Sequence, residues 1–371
     1  MDPRITNYID KNNILNFTLE NINVSYANGI RRTILTDIKT VVFRTMPNKI
    51  NQSTFYTNTT TLNNEILKHR LSCIPIHIDP EAPIDDYLLE VNLENTTPNI
   101  IYVTTADFKI KNVKLDLYLN DEVVKQIFPP DNISKQFIEF CKLRPKLSNN
   151  LNGDKLYFTC KFSTDTARNN SCYNVVSKCV YKNTLDEDKI SALYNEKKIE
   201  LEKKDMEEEE IKYELKDWLL LDAKRIFIEN SYDFTIETIG IYTNKNIIIM
   251  SIDVIIDKLK NISKLFSSQN NLIKNYENTL PNSYNIYLEN EDHTVANIIE
   301  HNLMTNHYYG DKSLTYCSVD KPHPNINIII IKLAFKDNVE IEVVNNYMVE
   351  SSQNAIIVLE KINNLFKDES I

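Results

Sequence analysis

The spacing of apolar positions changes along the chain, and each change of period predicts an element. Residues 14–20 read as a strand. From Asn23, a helix-capping residue type, Val24, Ala27, Ile30, Ile34, Leu35 and Ile38 fall on one face of a helix reaching about Asp37. Residues 41–44 read as a short strand. A Thr/Asn-rich stretch over 52–64 then leads to a short helix over 66–77 that Pro75 stops. From 78 to 182 the pattern is strand-like and irregular, with turns at Pro129-Pro130 and around Gly153. Residues 186–221 are charged with a helical period, and Met206-Glu-Glu-Glu-Glu210 within them reads as a solvated helix face. Strands follow near 232–239 and 246–250. A helix over 252–266 then carries Ile252, Ile255, Leu259, Ile262 and Phe266 as one seam. After a Ser/Gln/Asn-rich linker, 267–283, the pattern predicts a strand (284–289), a helix (294–304) and strands near 315–319, 326–335 and 339–344. A last helix carries Met348, Ala355, Ile356, Leu359, Ile362 and Phe366.

One segment occurs twice. Residues 16–30 and 285–299 align without a gap at an offset of 269, with seven of fifteen positions identical. The pairs Asn16/Asn285 and Asn21/Asn290 are weak evidence in an Asn-rich chain. Leu19/Leu288, Glu20/Glu289, Ala27/Ala296, Asn28/Asn297 and Ile30/Ile299 carry the match. A unit repeated once at this distance is no solenoid, which needs several adjacent repeats. It predicts two related halves able to pair within one chain.

Composition narrows the chemistry. With 371 residues, 42% of them apolar, the chain can build two or three cores. Four glycines leave no room for a Gly-rich phosphate loop. A net charge of −10 opposes nonspecific binding of nucleic-acid phosphates. No signal-peptide pattern or membrane-length apolar run is visible, and the six cysteines form no C-x-x-C pair, so reduced thiols are expected. No Ser-His-Asp pattern, paired carboxylates or Asp-rich magnesium loop occurs.

Several stretches carry a family resemblance. Asn23-Val-Ser-Tyr-Ala-Asn-Gly-Ile-Arg-Arg-Thr-Ile-Leu-Thr-Asp-Ile38 is similar to the alpha-motif helix of the alpha-like subunits of multisubunit DNA-dependent RNA polymerases. Lys68-His-Arg-Leu-Ser-Cys-Ile-Pro-Ile76 resembles the His-Arg-Leu-x-x-Ile-Pro-Leu element of subunit 3. Phe234-Thr-Ile-Glu-Thr-Ile-Gly240 resembles the strand by which subunit 3 returns to its dimerisation domain. Leu288-Glu-Asn-Glu-Asp-His-Thr-Val-Ala-Asn-Ile-Ile299 and Lys321-Pro-His-Pro324 resemble the two hallmarks of the smaller partner, subunit 11. The resemblance implies a fused subunit 3/subunit 11 chain of the kind found in large DNA viruses, located in the virion and host cytoplasm, or alternatively in the nucleus. Many subunit 3 proteins place a four-cysteine zinc loop after the Ile-Pro element. Here Ile76-His-Ile-Asp-Pro-Glu-Ala-Pro83 has no cysteine, so no zinc is expected.

By residue type alone Arg31 and Arg32 are two solvated charges opposite an apolar face, and replacing them should leave the fold nearly intact. The resemblance implies instead that Asn28, Arg31, Arg32, His69 and Arg70 contact partner subunits, the arginines through forked pairing with carboxylates of the second-largest subunit. For Asn28 and its repeat mate Asn297, bonding to nearby backbone and contacting a partner stand side by side. Asp292-His293-Thr294 reads as a helix cap. His69, Cys73 and His77 could share a helical face only if Pro75 did not interrupt it, which opposes metal or nucleophilic chemistry.

The expected fold is α+β. A dimerisation domain (1–50 and 225–266) carries a mostly β insertion (51–224) and is fused through 267–283 to a second dimerisation domain (284–371). Its two long helices cross in cis. The expected function is non-catalytic. The chain would be an assembly platform for the largest and second-largest polymerase subunits, with small accessory subunits, the catalytic magnesium lying in the large ones. The alternative is a free-standing interaction module built on the same fold.

Overall fold

The computed structural model describes residues 2–146, 152–204, 206–268, 272–275 and 280–368. These form two compact units: Met1–Ile34 with Val176–Thr238 and Asn244–Ile371, and Leu35–Val175 with Ile239–Thr243.

The first unit contains both copies of the repeat. Strand Ile14–Glu20 lies in an antiparallel four-stranded sheet between Arg4–Lys11 and Phe227–Thr238, with Val176–Leu185 at the far edge. Strand Ser283–Glu289 lies in a second sheet between Ile273–Asn275 and Ile328–Phe335, with Leu314–Asp320 beyond. The two repeat strands begin and end 269 residues apart, and so do the starts of the helices that follow, Val24–Thr36 and His293–Leu303. Between strand and helix stand Asn21 and Asn290, each with φ of 60°. Asn tolerates this left-handed conformation far better than most residues, so an identity that composition made weak proves to be a shared turn.

Two long helices, Asn244–Ser268 and Ile341–Lys367, pack together. The Asn363 amide donates to Asp253 Oδ1 (2.7 Å), and Lys245 Nζ donates to the Asp368 carbonyl (3.4 Å). Because these links run in opposite order along the two helices, the pair is antiparallel. Ile252, Ile255, Leu259, Ile262 and Phe266 are buried, as are Ala355, Leu359, Ile362 and Phe366. Ile356 is only half-buried, and Val358 is buried beside Leu359. Phe17 of the repeat strand stacks on Phe234 (5.0 Å between centroids) and meets Phe366 edge-on (5.2 Å), joining sheet to helices.

The second unit is built on a five-stranded sheet in the order Ser53–Asn58, Lys155–Lys161, Tyr87–Glu94, Lys109–Asn112, Leu117–Tyr118. Cross-strand aromatics fix its first pairing: Phe55 stacks on Phe158 (4.9 Å) and Tyr56 on Tyr157 (4.6 Å). Phe43, Phe108, Phe128, Phe140 and Phe162 fill its core.

Several expectations need correction. The insertion does not span 51–224, because Val176–Leu185 pairs with Phe227–Thr238 and belongs to the first unit. Residues 35–50, assigned to the dimerisation domain, fall in the second unit. Residues 246–250 begin a helix instead of forming a strand, and 339–344 contain the start of the last helix at Ile341. Of the linker 267–283, Ile273–Asn275 forms a strand on Ser283–Glu289, whereas 269–271 and 276–279 lie outside the described residues.

Candidate functional site

The repeat helices are capped alike. Asn23 Oδ1 accepts from the Ser25 amide (2.9 Å) and Asp292 Oδ1 from the Thr294 amide (2.8 Å), each satisfying an N–H that the helix cannot. Asp292 has a second bond. Arg32 Nη2 reaches its Oδ2 at 3.1 Å, and Arg32 Nε donates to Thr294 Oγ1 at 2.9 Å. The first repeat therefore grips the cap of the second. Arg32, expected to face a partner, is engaged within the chain. Arg31 donates through Nε and Nη2 to Asn28 Oδ1 (3.1 and 2.9 Å) on its own helix.

The two helices approach closely at Gly29. A Cβ there would lie 3.0 Å from Ile298 Cδ1 and 3.7 Å from the Thr294 carbonyl oxygen. One turn earlier, fully buried Tyr26 accepts from the Asn302 amide (2.8 Å) and meets the His301 ring edge-on (6.1 Å). Burial pushes the Tyr26 phenol up to about 12. None of Tyr26, Gly29 and Asn302 was singled out from the sequence, although the 269-residue offset, which sets Gly29 against Ile298, could have flagged that position.

Beside this contact opens a cleft of about 280 Å³ shared by both repeats. Asn28 and Asn297 line it from corresponding turns, with Ser25, His293, Glu300 and His301. Ser25 Oγ and His301 Nε2 are buried without a hydrogen-bond partner among the described residues. Burial raises the Glu300 carboxyl above its ordinary value, against a hydrogen bond from the Val319 backbone and the nearby His293. Burial lowers His301. Such a cleft offers amide, hydroxyl and imidazole groups for recognition; it holds no nucleophile paired with a base.

In the second unit His69 is exposed and Arg70 donates from Nη2 to the Glu139 carbonyl (2.9 Å). Their helix, Asn64–Ser72, is capped by Asn63 and ends at Cys73, so His77 does not continue the face of His69 and Cys73. Burial lowers His77. Among the described residues no group of three or more His, Cys, Asp and Glu side chains is placed to hold a metal ion.

Comparison with known proteins places this geometry in context. A family model described as the RNA polymerase Rpb3/Rpb11 dimerisation domain matches residues 16–259, and a second model of the same description matches 283–366. DNA-directed RNA polymerase subunit Rpo3 of Pyrococcus horikoshii is 31% identical over 112 residues, 28% of this chain and 40% of that protein. Rpo3 of Pyrococcus furiosus is 33% identical over 98 residues, 25% of this chain and 35% of the relative. Human RPAC1, of DNA-directed RNA polymerases I and III, is 36% identical over 73 residues, 20% of this chain and 19% of the relative. The chain thus matches at most two fifths of the length of these relatives.

Proposed function

Because the chain belongs to the RNA polymerase Rpb3/Rpb11 dimerisation domain family, we propose that it is a non-catalytic assembly subunit of a DNA-directed RNA polymerase. It pairs its two alpha-like halves in cis and presents them to the two large catalytic subunits. The observation that carries this reading is the register of the halves: strand, left-handed Asn and capped helix recur at one offset. The Arg32–Asp292 contact and the antiparallel long helices support pairing within the chain. An ordinary dimer assembles from two chains, and covalent linkage gives the second half a high effective concentration instead.

In this reading Asn28 and Arg31 face the second-largest subunit, with Arg31 free to exchange its bond to Asn28 for a partner carboxylate. His69 and Arg70 form a contact of the second unit. Catalytic magnesium belongs to the large subunits, and no zinc is assigned to this chain. Co-expression with the two large subunits tests the proposal. A stoichiometric complex that survives purification, with native mass spectrometry accounting for its mass without zinc, is the expected result. Two large subunits that assemble equally well without this chain would overturn the assembly role.

A further inference from the structure

We propose that the helical hairpin Glu187–Glu202 and Glu208–Leu220 is a docking surface for a basic amphipathic helix of a partner polypeptide. The hairpin leaves the first unit between the strands Val176–Leu185 and Phe227–Thr238. Its two helices meet along a thin inner face: Leu201 and Leu215 are buried, and Tyr194 lies against Trp218 at 6.4 Å with Lys197 Nζ 6.0 Å from the indole. Short helices draw most of their stability from burying an apolar face, and here only Leu201 and Leu215 of the two helices are buried. Leu219, Leu220 and Leu221 are 41, 52 and 59% exposed, and Tyr213 is 71% exposed. Beyond the tight turn Ala223–Arg225, Phe227 and Ile228 are 40 and 47% exposed. Scattered exposed leucines need no explanation, but three in succession with Tyr213, Phe227 and Ile228 a few residues away mark an interaction surface.

Charge decides what covers it. Residues 186–222 carry fourteen carboxylates against seven lysines, −7 of the chain's −10. Glu208, Glu209 and Glu210 occupy the first turn of their helix, where the dipole favours them, and most of the other acids lie along the two helices. This field repels nucleic-acid phosphates and anionic lipid, and draws in lysine- or arginine-rich segments. A helix with leucines on one face and basic side chains along its flanks satisfies both features, as in helix-in-groove recognition. The surface uses none of the residues that join the two repeats.

Trp218 is the single tryptophan of the chain and reports on the hairpin directly. The intact protein is titrated with a synthetic leucine/lysine amphipathic helix while Trp218 emission is followed. The expected result is a saturable change that tightens at low salt and weakens at least about tenfold in the Leu219→Ser/Leu220→Ser/Leu221→Ser variant. A lysine/serine peptide of equal charge or a leucine/glutamate peptide that binds equally well would overturn the proposal. Light scattering is run in parallel, and a dimer that dissociates in the serine variant would also overturn it by assigning the face to a second copy. If the serine variant unfolds, the Glu207→Gln/Glu208→Gln/Glu209→Gln/Glu210→Gln variant decides: unchanged leucine/lysine affinity rejects the surface.

Discussion

At Asp292 one carboxylate accepts from the Thr294 amide and from the Arg32 guanidinium, so a helix cap in one repeat depends on a side chain of the other. Arg32 and Arg31, neighbours in sequence, therefore differ in consequence. Arg32→Ala removes bonds to a largely buried carboxylate and to Thr294, and is expected to cost about 1–2 kcal/mol, softened by the 38% exposure of the arginine. Arg31→Ala, whose bonds run to Asn28 on the same helix, is expected to stay within about 0.5 kcal/mol. Urea unfolding midpoints of the two variants make the comparison, and equal midpoints would count against the bridge. Glu300 shows the opposite electrostatics. Burial raises its carboxyl above 4.5, so the folded state holds the proton more tightly than the unfolded chain does. The cost of ionising it in place is absent in acid and grows as pH rises through and above 4.5. Glu300→Gln should therefore stabilise the protein at neutral pH, with the gain vanishing below about pH 4; melting curves across that range give the test.

Among elements, the crossing of the two repeat helices leaves little room at Gly29. Gly29→Ala gains helix propensity of about 1 kcal/mol while asking only the tip of Ile298 to move, so its net effect should be small. Gly29→Leu has no such relief and should cost about 1–3 kcal/mol by forcing the helices apart. If both variants melt with the wild type, the helices are not in close contact. What could be read from the chain beforehand divides along similar lines. The repeat, its caps at Asn23 and Asp292 and the helix seams are local patterns, visible because Ile252 to Phe266 recur at helical spacing. Residues 246–250 misled because Asn-Ile-Ile-Ile-Met is a short apolar run that suits strand and helix equally, and only the continuing burial of Ile247, Ile248 and Ser251 decides for helix. Val339-Glu-Ile-Glu-Val alternates like a strand, yet Glu340 stands at the N-cap of a helix. The strand Ser53–Asn58 hides in a polar stretch because its reason to exist, stacking on Tyr157 and Phe158, lies a hundred residues away. At the site, Arg32 could be named but not its partner, since a bond across 260 residues leaves no trace in local spacing.

At the scale of the molecule, cis pairing predicts that the purified chain runs as a monomer in size-exclusion chromatography with light scattering, its helix seams already buried in one chain. A stable homodimer that exchanges the long helices between chains would contradict this. The arrangement also sets a timetable during synthesis. Strand Ile14–Glu20 waits for Phe227–Thr238, and Arg32 waits for Asp292, whereas nearly all of the second unit, Leu35–Val175, is continuous in sequence. At translation rates of about 5–20 residues per second, the 269 residues between repeat mates take roughly 10–50 s to emerge. For most of that interval a nascent chain displays a nearly finished unit preceded by a strand paired only with Arg4–Lys11, with Leu15, Phe17 and Leu19 open to folding helpers or to other nascent chains. Separate subunits would meet as finished halves; fusion in one chain makes the first half depend on a companion not yet translated.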